Sequence, residues 1–174
     1  AFTNMGCADT LVLPGLITVH PTPAAAFITS GNAGCSPYPV AFTNNSTFLS
    51  GPTYNWIFGS GANASAASPS YTYADSGNYQ VTLVIVNQEG CSDTASANIQ
   101  VNLTPTANAA MVNTLGCAPI VTSFSNLSLN ADSIVWHFGD GTTSVDANPS
   151  HQYAAGNYNP FVVAYSNAGC RDTF

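Results

Sequence analysis

The chain has 174 residues, 45% of them apolar and only 5% charged, against about 25% charged in an ordinary globular protein. Eight acids and a single base, Arg171, set the formal net charge at −7. That balance excludes a conventional nucleic-acid binder and docking to anionic lipid through basic residues, and it leaves few groups for acid–base catalysis.

In chain order, residues 1–10 (AFTNMGCADT) read like residues 164–173 (AYSNAGCRDT). Residues 1–22 are therefore expected to be the C-terminal part of a preceding repeat, ending at Pro21-Thr22-Pro23. Short apolar runs follow at 25–28, 40–43 and 54–58, punctuated by Gly, Pro, Asn and Ser, which predicts strands and turns. Tyr79, Val81, Leu83 and Ile85 then alternate with Gln80, Thr82 and Val84. Ala97, Ile99, Val101 and Leu103 alternate with Asn98, Gln100 and Asn102 in the same way. Period two is the signature of a sheet with one buried face. No stretch carries a helical apolar stripe. The longest apolar run, residues 81–86, is broken by Thr82 and is far too short to span a bilayer as a helix.

After Thr104-Pro105-Thr106 the pattern begins again. Trp56 and Trp136 are 80 residues apart, as are Tyr73 and Tyr153; Cys35 precedes Cys117 by 82, and Cys91 precedes Cys170 by 79. Landmarks that recur in one order with small changes of offset define a tandem array. Residues 23–104 form one repeat, and residues 105–174 form a second that lacks its last strand. The chain reads as a stretch of a longer repetitive polypeptide. Six or seven short strands per unit predict an all-β protein of tandem β-sandwiches. Proline fixes φ and cannot join a ladder, so the Pro-marked junctions predict a semi-rigid rod.

The cysteines follow the repeat. Cys35 with Cys91, and Cys117 with Cys170, is the simplest pairing, one bridge within each unit, and Cys7 then looks for a partner upstream of the chain. A bridge closing a loop of this size contributes roughly 4 kcal/mol in the chain-entropy account and implies an oxidising, extracytoplasmic compartment. Zinc is the competing reading, but no CxxC or HxxxH spacing exists.

Trp136-His137-Phe138-Gly139-Asp140-Gly141, then Pro149-Ser150-His151-Gln152-Tyr153, then Gly156-Asn157-Tyr158, closely resembles the PKD (polycystic kidney disease) domain. The first repeat carries the same pattern with Ser60 in place of the Asp and Tyr71 in place of the His. The resemblance implies an Ig-like sandwich, as in large secreted surface proteins of Bacteroidetes. Read without the family, Trp and Phe two apart share one face of a strand, so Trp56 with Phe58 and Trp136 with Phe138 should anchor each core. Gly-Asp-Gly supplies a tight turn in which Asp can cap backbone N–H groups. Tyr73 and Tyr153 should pack at the sandwich corner with the hydroxyl reaching backbone. His137 stands where the first repeat has Ile57, so it is not a catalytic residue.

Weak calcium candidates are Asp140 and Asp146, although a hard cation needs several converging oxygens and Ser60 replaces Asp140 in the other repeat. No other cofactor is expected. The triplets Asp9-Thr10-Leu11, Asp93-Thr94-Ala95 and Asp132-Ser133-Ile134 resemble the O-glycosylation motif of secreted Bacteroidetes proteins, which makes Thr10, Thr94 and Ser133 candidate glycosylation sites. Glycans would explain the solubility of so uncharged a surface.

No active-site constellation recurs between the repeats, so the chain is not expected to be an enzyme. The expectation is an extracellular, cell-surface structural or adhesive repeat forming a stalk or filament. Its partners would be neighbouring repeats of the same polypeptide or copies of itself, and surface glycans or proteins. The rival is a carbohydrate- or protein-binding accessory module of a secreted hydrolase, which predicts a planar row of solvent-facing aromatics supplied by Tyr38, Tyr54 and Tyr71.

Overall fold

A computed structural model describes residues 11, 14, 15, 17–48 and 51–174. Every regular element among them is a strand. The first repeat comprises β1 (Phe27–Thr29), β2 (Ala33–Cys35), β3 (Tyr38–Asn44), β4 (Thr53–Ile57), β5 (Asn63–Ala64), β6 (Ser70–Tyr73), β7 (Gly77–Val86) and β8 (Ser92–Asn102). The second comprises β9 (Ala109–Val112), β10 (Ile120–Asn126), β11 (Ser133–His137), β12 (Thr143–Ser144), β13 (Ser150–Tyr153), β14 (Phe161–Tyr165) and β15 (Arg171–Thr173). Sheet order is β1-β3-β6 facing β2-β8-β7-β4-β5 in the first repeat, and β9-β10-β13 facing β12-β11-β14-β15 in the second. These are two Ig-like sandwiches in tandem.

The long period-two segments behave as the pattern requires. Val81, Leu83 and Ile85 of β7, and Ile99 and Val101 of β8, point into the core. The two strands pair antiparallel from Gly77 opposite Val101 to Val86 opposite Ser92. Leu103, expected to continue the inward phase, is exposed instead, because β8 ends at Asn102 and the chain turns toward the second repeat. Trp56 and Trp136 lie at the centres of their cores. Trp56 meets Phe27 edge-on with ring centroids 5.0 Å apart and packs beside Phe42 at 5.5 Å; Trp136 packs on Phe124 at 5.2 Å. Such pairs add roughly 1 kcal/mol each beyond the area they bury. The Trp56 indole N–H donates to the carbonyl of Ala66, whereas the buried Trp136 N–H has no acceptor among the described residues.

The corner tyrosines take the predicted place. Tyr73 donates from its hydroxyl to the Phe58 carbonyl, and Tyr153 to that of Phe138. Burial, helped by the neighbouring Tyr71 and Tyr79, pushes the Tyr73 phenol up to about 12, which keeps the donor protonated. His137 stacks on Phe161 at the sheet surface, with centroids 4.4 Å apart. The site asks only for a flat or apolar group, and Ile57 meets the same need in the first repeat.

The β2 strand was not visible in the sequence, being three residues long with a central glycine. It lies parallel to the far end of β8, with Ala33, Gly34 and Cys35 opposite Gln100, Val101 and Asn102. This placement puts Cys35 at the end of its repeat from which the chain leaves.

Candidate functional site at the repeat junction

The cysteine pairing read from the sequence is corrected by the structure. Cys35 is bonded to Cys170, with Cα atoms 5.6 Å apart and a sequence separation of 135. Cys91 and Cys117 are thiols, so neither Cys35–Cys91 nor Cys117–Cys170 forms. The reason lies in β8. Cys91 immediately precedes this strand, while Cys35 is level with its last residue, Asn102. Eleven strand residues at about 3.3 Å each separate the two cysteines by roughly 36 Å, and a disulfide tolerates no more than about 7 Å between Cα atoms. Cys7 and Thr10 lie outside the described residues.

Each repeat thus has a cysteine at either pole. Cys91 and Cys170 belong to the turns that join the last two long strands, β7 to β8 and β14 to β15. The two turns are built alike. Asn87 N–H donates to the Cys91 carbonyl and Gly90 N–H to that of Asn87. Ser166 N–H donates to the Cys170 carbonyl and Gly169 N–H to that of Ser166. The cysteine N–H is capped by the side chain of the turn's first residue, Asn87 Oδ1 at 2.8 Å for Cys91 and Ser166 Oγ at 3.2 Å for Cys170. Gly90 and Gly169 both have φ of +83°. At the opposite pole, Cys35-Ser36-Pro37 and Cys117-Ala118-Pro119 lead into β3 and β10.

The bridge therefore crosses the junction, from the exit pole of the first repeat to the entry pole of the second. Ser36 N–H donates to the Asn102 carbonyl, and Thr104 bonds back to Ser36 through both its N–H and its hydroxyl. These bonds fasten the linker to the first repeat, and the peptide chain and the sulfur bridge connect it to the second. In the chain-entropy account a loop of 135 residues is worth about 5 kcal/mol. A formed disulfide of this kind marks an oxidising, extracytoplasmic compartment.

Asp93 and Asp132 of the candidate glycosylation triplets, and Asp172, which matches Asp93 in the second repeat, have structural duties. Asp93 Oδ2 accepts from Ala25 N–H at 2.7 Å, and Asp172 Oδ2 accepts from Ala107 N–H at 2.9 Å. Both fasten the start of a repeat to its last sheet. The Ala25 N–H, followed by that of Thr94, holds the Asp93 carboxyl below the usual carboxylate range. Asp132 accepts instead from Asn167 N–H. Thr94 and Ser133 are exposed.

Asp140 and Asp146 are not brought together around a cation. Asp140 Oδ1 accepts from the N–H and hydroxyl of Thr142, and Oδ2 faces His151 Nε2 at 2.7 Å. Asp146 accepts from the Ser144 hydroxyl. The bonds from Thr142, with His151 adding to them, lower the Asp140 carboxyl to about 2. Among the described residues no three His, Cys, Asp or Glu side chains converge as a metal site. The first repeat keeps the geometry with different chemistry. Ser60 donates to the Tyr71 hydroxyl at 2.8 Å, and Tyr71 stacks on Phe58 at 4.6 Å as His151 stacks on Phe138 at 4.2 Å.

The aromatics considered for a sugar platform are all engaged. Tyr38 fills the space above Gly31 and Gly34, Tyr54 meets Phe48 edge-on, and Tyr71 is stacked as described. All three pack partly buried against the first core and present no planar row.

Comparison with known proteins accords with this architecture. The family model described as "PKD domain" matches residues 20–101 and again 102–173. Over 55 residues the chain is 40% identical to the pre-pro-metalloprotease PrtV of Vibrio cholerae, a match covering 32% of the chain and 6% of that protein. The chain therefore corresponds to only a small part of that relative's length. Among solved structures, the PKD1 domain of the same protease is 30% identical, with 47% of this chain and 99% of that one aligned at a TM-score of 0.42. The PKD1 domain of Vibrio anguillarum Epp is 27% identical over 48% of this chain and 96% of its own, also at 0.42. Two consecutive matches, each spanning one of the sandwiches built around Trp56 and Trp136, establish that the chain belongs to the PKD domain family, whose domains are non-catalytic accessory or structural modules.

Proposed function

We propose that this chain is part of an extracellular shaft of a larger cell-surface protein, in which tandem PKD repeats are clamped pole to pole and act as a stalk or filament segment. The observation that carries the reading is the Cys35–Cys170 bridge across the junction. A bridge inside one sandwich stabilises that sandwich alone, whereas a bridge between two fixes their relative orientation and supports a spacer role. The hydrogen bonds of Thr104 to Ser36, which fasten the linker to the first repeat, and the Pro-marked linker support it further. Thr94 and Ser133 are the exposed positions at which glycans would offset the low surface charge.

Small-angle scattering tests the role. With each unit spanning roughly 40 Å, about twelve strand residues, the oxidised chain should show a longest dimension of about 80 Å and a narrow distribution of shapes. Cys35→Ala should broaden that distribution without unfolding either repeat. A compact, folded-back particle in the oxidised protein would overturn the proposal. The binding-module alternative draws no support from Tyr38, Tyr54 and Tyr71, which are committed to packing, and retention on polysaccharide resin should be absent.

A further inference from the structure

The bridge seen once has two unused halves. Cys170 and Cys91 sit at the same place in turns with the same hydrogen bonds and the same glycine conformation. Cys35 and Cys117 occupy the same position at the opposite pole, each two residues before a proline that opens the following strand. The operation that carries the first repeat onto the second therefore carries the exit cysteine of one junction onto that of the next, and likewise the entry cysteine. Repeating it once more places an entry-pole turn over Cys117. Applying it in reverse places an exit-pole cysteine beside Cys91.

The surroundings of both thiols agree. Cys117 is exposed, and beside it lies a groove of about 620 Å³ lined by Leu115, Gly116, Ala118, Ile120, Tyr153 and Tyr158. Gly116 is the counterpart of Gly34, which in the first repeat pairs with the buried Val101 of β8. In the first repeat β8 lies against the corresponding glycine. At the other pole, the preceding chain already crosses beside Cys91, since Asn87 Nδ2 donates to the Pro21 carbonyl at 3.1 Å, and Asn87 is the residue that caps the Cys91 N–H.

We propose that Cys117 and Cys91 are the exit and entry halves of further repeat-to-repeat disulfides, so that each PKD unit of this type is bonded through sulfur to the unit before it and the unit after it. The partner is another repeat with the same polar cysteines, supplied in the same polypeptide or by a second copy of this chain; in the second case Cys117 of one copy bonds Cys91 of the next. With a small disulfide such as oxidised glutathione as oxidant, the Cys117 thiolate attacks it and releases one glutathione thiol. The Cys91 thiolate then displaces the second, and the two protein thiols are oxidised as one disulfide is reduced to two thiols. The inference deepens the shaft reading and rests on it only for the existence of a further repeat.

The test uses the full chain in a Cys7→Ala background, with the Cys35–Cys170 bond verified by thiol counting. Cys91→Ala and Cys117→Ala variants are oxidised with glutathione buffer separately and mixed. The mixture should shift to twice the chain mass, with Cys117 of one variant joined to Cys91 of the other in the peptide map. Each variant alone should remain monomeric. Symmetric Cys117–Cys117 or Cys91–Cys91 dimers, or no heterodimer in the mixture, would overturn the inference. Because the readout is sulfur connectivity, it can fail while the scattering dimensions of the shaft stand, and the reverse also holds.

Discussion

At the scale of single residues, the two repeats solve one problem with different chemistry. Asp140 with His151 and Ser60 with Tyr71 each link the turn after the Trp-containing strand to the strand carrying the corner tyrosine. In the sequence these are two separate departures from one motif; only the structure shows that the two positions touch. Their pH behaviour should differ. The Asp140 carboxyl is lowered to about 2 in the folded chain, so its contribution is complete above the unfolded value near 4 and is lost as pH falls through that interval. The Ser60–Tyr71 pair contains no carboxylate. Thermal melts between pH 5 and pH 2 should show the second repeat weakening first, and Asp140→Ser with His151→Tyr together should remove the difference. Either change alone should lower the melting temperature more than the pair. Tyr73 argues in the opposite direction on the pH scale: with its folded value raised to about 12, stability present below pH 10 should decline as pH rises toward 12, and Tyr73→Phe should cost about 1 kcal/mol for the lost hydroxyl bond.

At the scale of elements, period-two alternation located the long strands, because a half-buried ladder writes itself into side-chain polarity. Val81 through Ile85 and Ile99 with Val101 are buried in that phase. The short runs at 25–28, 40–43 and 54–58 gave β1, β3 and β4, whereas β2 and β5 were not legible. β5 has two residues, and β2 has three, whose place is set by backbone pairing with β8 and leaves no polarity pattern. That omission decided the cysteine question, since repeat spacing alone is satisfied equally by bridges within a unit and between units. The length of β8 was visible, however, and it already sets Cys91 and Cys35 at opposite ends once β2 is placed. The turn glycines were legible for their chemistry. Gly59 has φ of +77°, and a Cβ there would stand 2.7 Å from the Gln80 carbonyl oxygen. Gly59→Ala should therefore destabilise the first repeat by about 1–3 kcal/mol, read by urea unfolding at unchanged m-value. Asp93→Asn should loosen the start of β1 with little effect on the core, visible as faster amide exchange at Ala25.

At the scale of the whole molecule, the bridge makes two folding units interdependent. Reduction or Cys170→Ala should lower stability by up to about 5 kcal/mol in the chain-entropy account and split one calorimetric transition into two. A single transition that survives reduction would mean that the non-covalent junction already couples the repeats. Charge is used sparingly, since five of the eight acids, Asp93, Asp132, Asp140, Asp146 and Asp172, accept the hydrogen bonds that fasten turns and strand starts.

The position of that bond has a consequence for stretching. A pull applied outside residues 35–170 runs through sulfur and bypasses the chain between the two cysteines, a sequence separation of 135, withholding about 470 Å of contour length at roughly 3.5 Å per residue. Under load β1 and β15, which lie outside the bridge, would bear the force, while the strands from β3 to β14 would be shielded and would pay out only when a reductant opened the shortcut.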